Sequence, residues 1–173
     1  MTARRMTTMA SAVVLTLGLA VGLAGLQVLW AADGSPLVEI TLDSLMAAYP
    51  LKEGTASKSA EVGRLEGSSV HYLVTKSTVR AHFHRGRDEV VYVVQGKATV
   101  TLGTPGALAG TDPAPSARQA MSGARRVQVR QGSVLLIPRG TAHQVEVIGQ
   151  QPLVAMSVFS PPFSDNDRVF LSE

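Results

Sequence analysis

From Ser69 to Phe159 the chain is written in short β-type runs punctuated by turns, and that rhythm restricts it to a folded-over sheet. Eight runs (70–75, 78–83, 89–95, 98–102, 126–130, 133–137, 144–148 and 153–159) are rich in Val, Ile, Thr and Tyr and are separated by Gly, Pro or Ser. Gln95-Gly96-Lys97 and Gln131-Gly132-Ser133 read as tight turns, where Gly tolerates a positive φ. Eight short strands with almost no helix predict an all-β barrel or jelly roll. One stretch, 103–124, breaks the rhythm with Gly and Pro and no β pattern. It is expected to be a long excursion between two β halves, disordered or else mobile as a lid.

The remainder of the chain divides around this region. Its 173 residues suffice for one domain. The expected segments are a signal peptide or transmembrane anchor over 1–32, a linker and short helix over 33–68, the barrel over 69–160, and a C-terminal tail over 161–173. Pro50 stops the helix, expected over 44–49 with Thr41 or Asp43 as its cap. Aromatic residues make up only 5%, so aliphatic side chains must build the core. The absence of cysteine excludes disulfides, thiolate ligands and a Cys nucleophile.

Arg4 and Arg5 precede an uncharged stretch from Met6 to Ala32 that is almost wholly apolar from Ala12 to Trp30. A basic start followed by an apolar run is the pattern of an export signal. The run also has the ~20 residues a bilayer span requires, so a retained anchor remains an alternative. Either way the arginines stay in the cytoplasm and the domain lies outside, periplasmic or extracellular. The formal charge of +3 falls to +1 without those two arginines. No basic run with interleaved aromatics is present, so nucleic acid is not an expected partner.

Three of the four histidines fall in two short segments. His82 and His84 alternate on one strand and share a face, with Phe83 on the other. Glu89 opens the next strand, and a turn over 85–88 can fold its carboxylate back over the two imidazoles. His143 follows the Pro138-Arg139-Gly140 turn that aims it. Three imidazoles and one carboxylate form a mixed nitrogen and oxygen ligand set. Arg80 shares the histidine face and is expected to need an anionic partner, either a substrate carboxylate or, in a structural ion pair, one of two side-chain candidates, Glu146 and Asp88. Arg85, Arg87 and Arg139 are expected to be solvated. His71 is expected to be a core or surface histidine rather than a ligand. Val91, Val93, Val145 and Val147 are expected to line the interior, and no inward acid other than Glu89 is evident.

These segments resemble the two motifs of the cupin superfamily. His82-x-His84-x4-Glu89-x6-Gly96 matches the first except for its leading Gly, where Lys76 stands. Gly132-x5-Pro138-x-Gly140-x2-His143 matches the second, with Val147 in place of a final Asn. The resemblance implies a small single-domain jelly-roll barrel (double-stranded β-helix) over about residues 70–159. It further implies one divalent transition metal (Fe, Mn, Ni, Cu or Zn) on His82, His84, Glu89 and His143. Dioxygenase-like oxidoreductase chemistry on a small molecule is the expectation, with isomerase or decarboxylase chemistry as runner-up. A non-catalytic barrel that captures a small molecule or a metal is the alternative. The strand 89–94 is apolar on both faces, and Val90, Tyr92 and Val94 need a cover. The 37–50 segment or a second copy in a homodimer is expected to supply it.

Overall fold

The computed structural model describes residues 26–30 and 36–173. They fall into two compact units, the first ending at Ser44 and the second beginning at Leu45. In the first unit β1 (Leu26–Trp30) pairs antiparallel with β2 (Pro36–Ile40). The last third of the expected leader therefore includes five extended residues. Antiparallel pairing with 36–40 gives these five residues a strand partner on one side. The rest of the expected leader, 1–25 and 31–32, lies outside the described residues. Among the described residues no helix is long and apolar enough to cross a membrane.

Helix α1 (Leu42–Ala48) begins two residues earlier than expected. Thr41 is its cap, its hydroxyl accepting from the Ser44 N–H at 3.2 Å. Pro50 ends it, since proline disfavours a helical conformation in the residue before it.

The second unit carries two five-stranded sheets. Its strands are β3 (Ser57–Arg64), β4 (Ser69–Thr75), β5 (Val79–His84), β6 (Asp88–Gln95) and β7 (Lys97–Leu102). After a short helix α2 (Ala117–Ala120) come β8 (Arg125–Arg130), β9 (Val134–Ile137), β10 (His143–Val147), β11 (Leu153–Ser160) and β12 (Arg168–Phe170). One sheet has the order β12-β5-β10-β7-β8, the other β3-β4-β11-β6-β9. The expected all-β jelly roll is the observed fold, and each of the eight expected strands is present with ends shifted by one residue at most.

Two strands fall where none was expected. β3 lies in the expected loop, as a polar edge strand whose residues alternate between exposed and half-buried. Its backbone ladder to β4 runs from Ser57–Thr75 to Arg64–Ser69. An edge strand of this kind needs little apolar side-chain area, so composition does not announce it. β12 lies in the expected C-terminal tail and pairs with β5, Arg168 opposite His84 and Phe170 opposite His82.

Alternation divides the apolar residues between two cores. Val93, Ala98, Val100, Val129 and Leu153 form the interior cluster, with Val145 and Val147 packed against it. Phe83, on the reverse face of β5, is fully buried with Leu108, Ala142 and Leu171. Burying a phenylalanine side chain of this size contributes about 2 kcal/mol.

Leu108 belongs to the 103–124 excursion, which is therefore packed rather than a disordered insertion or a free lid. Its backbone is anchored by Leu108 N–H to Gly140 O at 2.8 Å and Gly103 N–H to Ala142 O at 2.8 Å. Gly140 has φ +70°, and a Cβ there would collide with the Ala109 backbone. The glycine of the second motif thus permits the turn and the close approach of the excursion together.

Candidate metal centre

The two motifs meet because β10 pairs with β5, placing His143 directly opposite His82. Their rings lie 4.1 Å apart, centroid to centroid. His84 is two residues along β5 on the same face. Glu89 comes from β6 in the other sheet, so three imidazoles on one wall face a carboxylate on the opposite one. One ligand atom from each of His82, His84 and His143 lies within 4.8 Å of the others. Glu89 Oε2 is 3.6 Å from His84 Nε2 and 3.5 Å from His143 Nε2. All four side chains are buried. The expected residues are brought together, and the three histidines form a group able to hold a metal ion.

Each imidazole is oriented by an oxygen acceptor at its other nitrogen. His82 Nδ1 donates to Arg80 O at 2.7 Å, His143 Nδ1 to Thr141 O at 2.9 Å, and His84 Nδ1 to Asp167 Oδ2 at 2.9 Å. An oxygen acceptor at Nδ1 fixes the proton there and leaves the Nε2 lone pair free. His84 Nε2 is buried and has no hydrogen-bond partner. A buried polar atom without a partner carries a free-energy cost unless something is bound to it. A metal ion fits this donor set.

The electrostatics agree. Burial, reinforced by neighbouring His143, pushes the His82 imidazole down to about 2. Burial also lowers His84, against the opposing pull of Glu89. Both rings are neutral at physiological pH, the form a metal requires.

Several expectations are corrected. Arg80 is exposed, its guanidinium 5.4 Å from the Phe170 ring centre, and has no carboxylate partner among the described residues. Its two candidate partners are taken, Glu146 by Arg126 and Asp88 by Arg139. Arg87 is not simply solvated, because it pairs with Asp167 at 2.8 Å. Arg85 donates to Thr111 O in the excursion at 3.0 Å. Arg139 remains half exposed. His71 stands outside the three-histidine group, edge-on to Phe159 and Phe163 at 5.1 and 5.2 Å, and lines the same cavity.

A second acid was missed. Asp167, just ahead of β12, is fully buried and accepts from His84 Nδ1, Gly86 N–H and Arg87 Nη1. Arg168 beside it lines the cavity. The Asp165-Asn166-Asp167 cluster ahead of Arg-Val-Phe-Leu is a turn followed by a short alternating run, the one sequence signal for this return strand.

The sequence model of the Cupin family matches residues 55–172. An uncharacterized protein of Streptomyces coelicolor is 30% identical over 126 residues, covering 69% of this chain and all of that protein. An oxalate decarboxylase from Lactobacillus farciminis, solved as a formate complex, is similar with a TM-score of 0.52 and 24% identity. The likeness covers 73% of this chain and 34% of that one. An uncharacterized protein from Klebsiella pneumoniae with a double-stranded β-helix domain gives a TM-score of 0.53 at 14% identity, covering 74% and 95%. The chain thus spans about a third of the decarboxylase and nearly all of the small Klebsiella protein, and these likenesses concern the fold. With its two motifs joined across β5 and β10, the chain belongs to the cupin family.

Proposed function

We propose that the chain is an exported mononuclear metalloprotein, its metal held by His82, His84, His143 and Glu89, and that it is a dioxygenase-like oxidoreductase acting on a small molecule. The observation that carries the reading is the buried, unpartnered Nε2 of His84 beside two imidazoles whose Nδ1 protons are already committed. A bound Fe, Mn, Ni, Cu or Zn ion supplies Lewis acidity there, and the redox-active members supply chemistry with dioxygen. The chain's own residues orient and shield. Thr141 and Arg80 carbonyls and the Asp167 carboxylate hold the rings, Glu89 adds negative charge, and Val91, Val93 and Val145 keep the adjoining cavity apolar.

The test is substrate-dependent oxygen uptake by Fe-, Mn- or Cu-loaded protein over a panel of phenolics, thiols and organic acids. Uptake with at least one class is expected. Ligand binding without turnover throughout the panel would favour the second reading, a non-catalytic module that captures a small molecule. One observation favours that alternative: among the described residues Glu89, placed to hold the metal, is the sole carboxylate lining the cavity, so no second carboxylate faces a bound molecule.

Two further parts of the reading rest on other residues. Arg4 and Arg5 ahead of an apolar stretch support export, with the domain outside the cytoplasm or tethered to its membrane. Cleavage after Ala24 would leave β1 intact. An apolar outer face supports a homodimer. Tyr49 covers part of that sheet, its ring 6.1 Å from that of Tyr72. Val90, Tyr92, Val134, Leu136 and Val158 nonetheless remain exposed and adjacent in the register of β9, β6 and β11.

A further inference from the structure

Arg168 is a cation facing the cavity with no anion to meet it. Its strand pairs it opposite His84, which sets it on the face that His84 and His82 use. It lines the cavity together with His82, His143 and Glu89. Its Nε is buried and has no hydrogen-bond partner. Among the described residues no carboxylate lies within ion-pair distance of its guanidinium. The adjacent acid cannot serve, because Asp167 already accepts from His84, Gly86 and Arg87. The Phe163 ring lies beside the guanidinium, its centre 5.4 Å away, a cation–π contact that leaves the donor nitrogens without an anionic partner.

We propose that Arg168 is the binding residue for the carboxylate of a small aliphatic acid, which is the substrate or ligand of this cavity. A half-buried guanidinium without a counter-charge calls for an anionic ligand. Its planar donor fork matches a carboxylate in two parallel hydrogen bonds. Most of the remaining wall is aliphatic, with Leu73, Val93, Val100 and Leu153 among its residues and Ser59, His71 and Ser157 as polar exceptions, which suits a short hydrocarbon remainder better than a fully charged tetrahedral oxyanion. The cavity measures about 80 Å³. The proposal rests on the metal-site reading for where the acid's reacting end lies, beside the three imidazoles, but the anion-binding role of Arg168 does not require the metal.

The test is calorimetric titration of the full chain, metal-loaded and metal-free, in a buffer without carboxylate or phosphate. The probes are propionate, its neutral isostere propionamide, and inorganic phosphate. Propionate is expected to bind one per chain and at least about tenfold more tightly than propionamide, the factor set by one charge-assisted pair. Arg168→Gln should lose that preference and Arg168→Lys should keep part of it, both with the metal content and melting temperature of the parent. Arg126→Gln, which removes an exposed guanidinium remote from the cavity, should change nothing. Equal binding of propionate and propionamide, unaltered propionate binding in Arg168→Gln, or phosphate binding more tightly than propionate overturns the proposal. If Arg168→Gln does not fold, Arg168→Lys decides, since propionate binding that is the same as in the parent or no better than that of propionamide contradicts a planar bidentate fork. A chain that takes up no metal yet binds propionate through Arg168 overturns the metal reading and leaves this one standing. Full metal content without propionate binding does the reverse.

Discussion

Asp167 accepts a hydrogen bond from His84 Nδ1 at 2.9 Å, joining residues 83 positions apart with both side chains shut away from water. The same carboxylate receives Gly86 N–H and Arg87, so its charge and both oxygens are matched. This pair lies directly behind the candidate metal ligands. It sets the tautomer of His84 and therefore the availability of Nε2.

Replacing Asp167 by Asn should weaken metal binding by about 10- to 100-fold, the usual cost of losing an orienting carboxylate. The stoichiometry at saturating metal should stay the same. Competition against a chelator of known affinity reads this directly. Asp167→Ala should also destabilise the fold by about 3 kcal/mol or more, because it strands Arg87, Gly86 N–H and His84 Nδ1. Denaturant unfolding of the metal-free protein checks that figure.

The metal-free protein should lose stability as the pH falls below the ordinary histidine value of 6.5. His82, His84 and His71 are all held below that value in the folded state, chiefly by burial. Below 6.5 the unfolded chain binds protons that the folded chain refuses, so stability must rise with pH. The loss from His82 continues down to about 2, its folded value. Glu61 and Asp88, lowered by Arg64 and Arg139, add their own acid losses only as the pH approaches the carboxylate range. Between about pH 6.5 and 5 the slope therefore belongs to the histidines. Melting temperature should be flat above about pH 7.5 and decline below 6.5. A melting temperature that stays flat or climbs as the pH falls through that window would contradict the burial of neutral imidazoles.

Leu136 is 74% exposed on edge strand β9, next to Val90 in register. If a second copy covers this face, Leu136→Asp should convert a dimer to a monomer while leaving metal content unchanged. Light scattering coupled to size exclusion measures the mass. A monomer in the parent protein would rule out the homodimer.

Legibility in the sequence followed the range of the interaction. The strands of the motif region could be read because alternation and turn glycines are local signals. Phe83 and the pair His82 and His84 took the faces that alternation assigned them. β3 could not be read, because a polar edge strand is defined by the neighbour it pairs with. Asp167 and Arg168 were missed for the same reason. Their roles arise from pairing to β5 across more than 80 residues, and three residues of strand carry no usable periodicity. Arg80 was misjudged in the opposite direction. Its position near the start of β5 matches the histidine face by parity, yet its side chain extends outward over Phe170. The 103–124 excursion is held by backbone hydrogen bonds to the Gly140 turn, which leave little trace in side-chain pattern.

The central claim is that His82, His84 and His143, with Glu89, hold one metal ion. The most direct measurement is elemental analysis of the protein purified from its own compartment, beside the double variant His82→Ala/His84→Ala. The account predicts about one transition-metal ion per chain in the parent and none in a folded double variant, since removing two of four ligands opens the site. Equal metal content in the two proteins would contradict it.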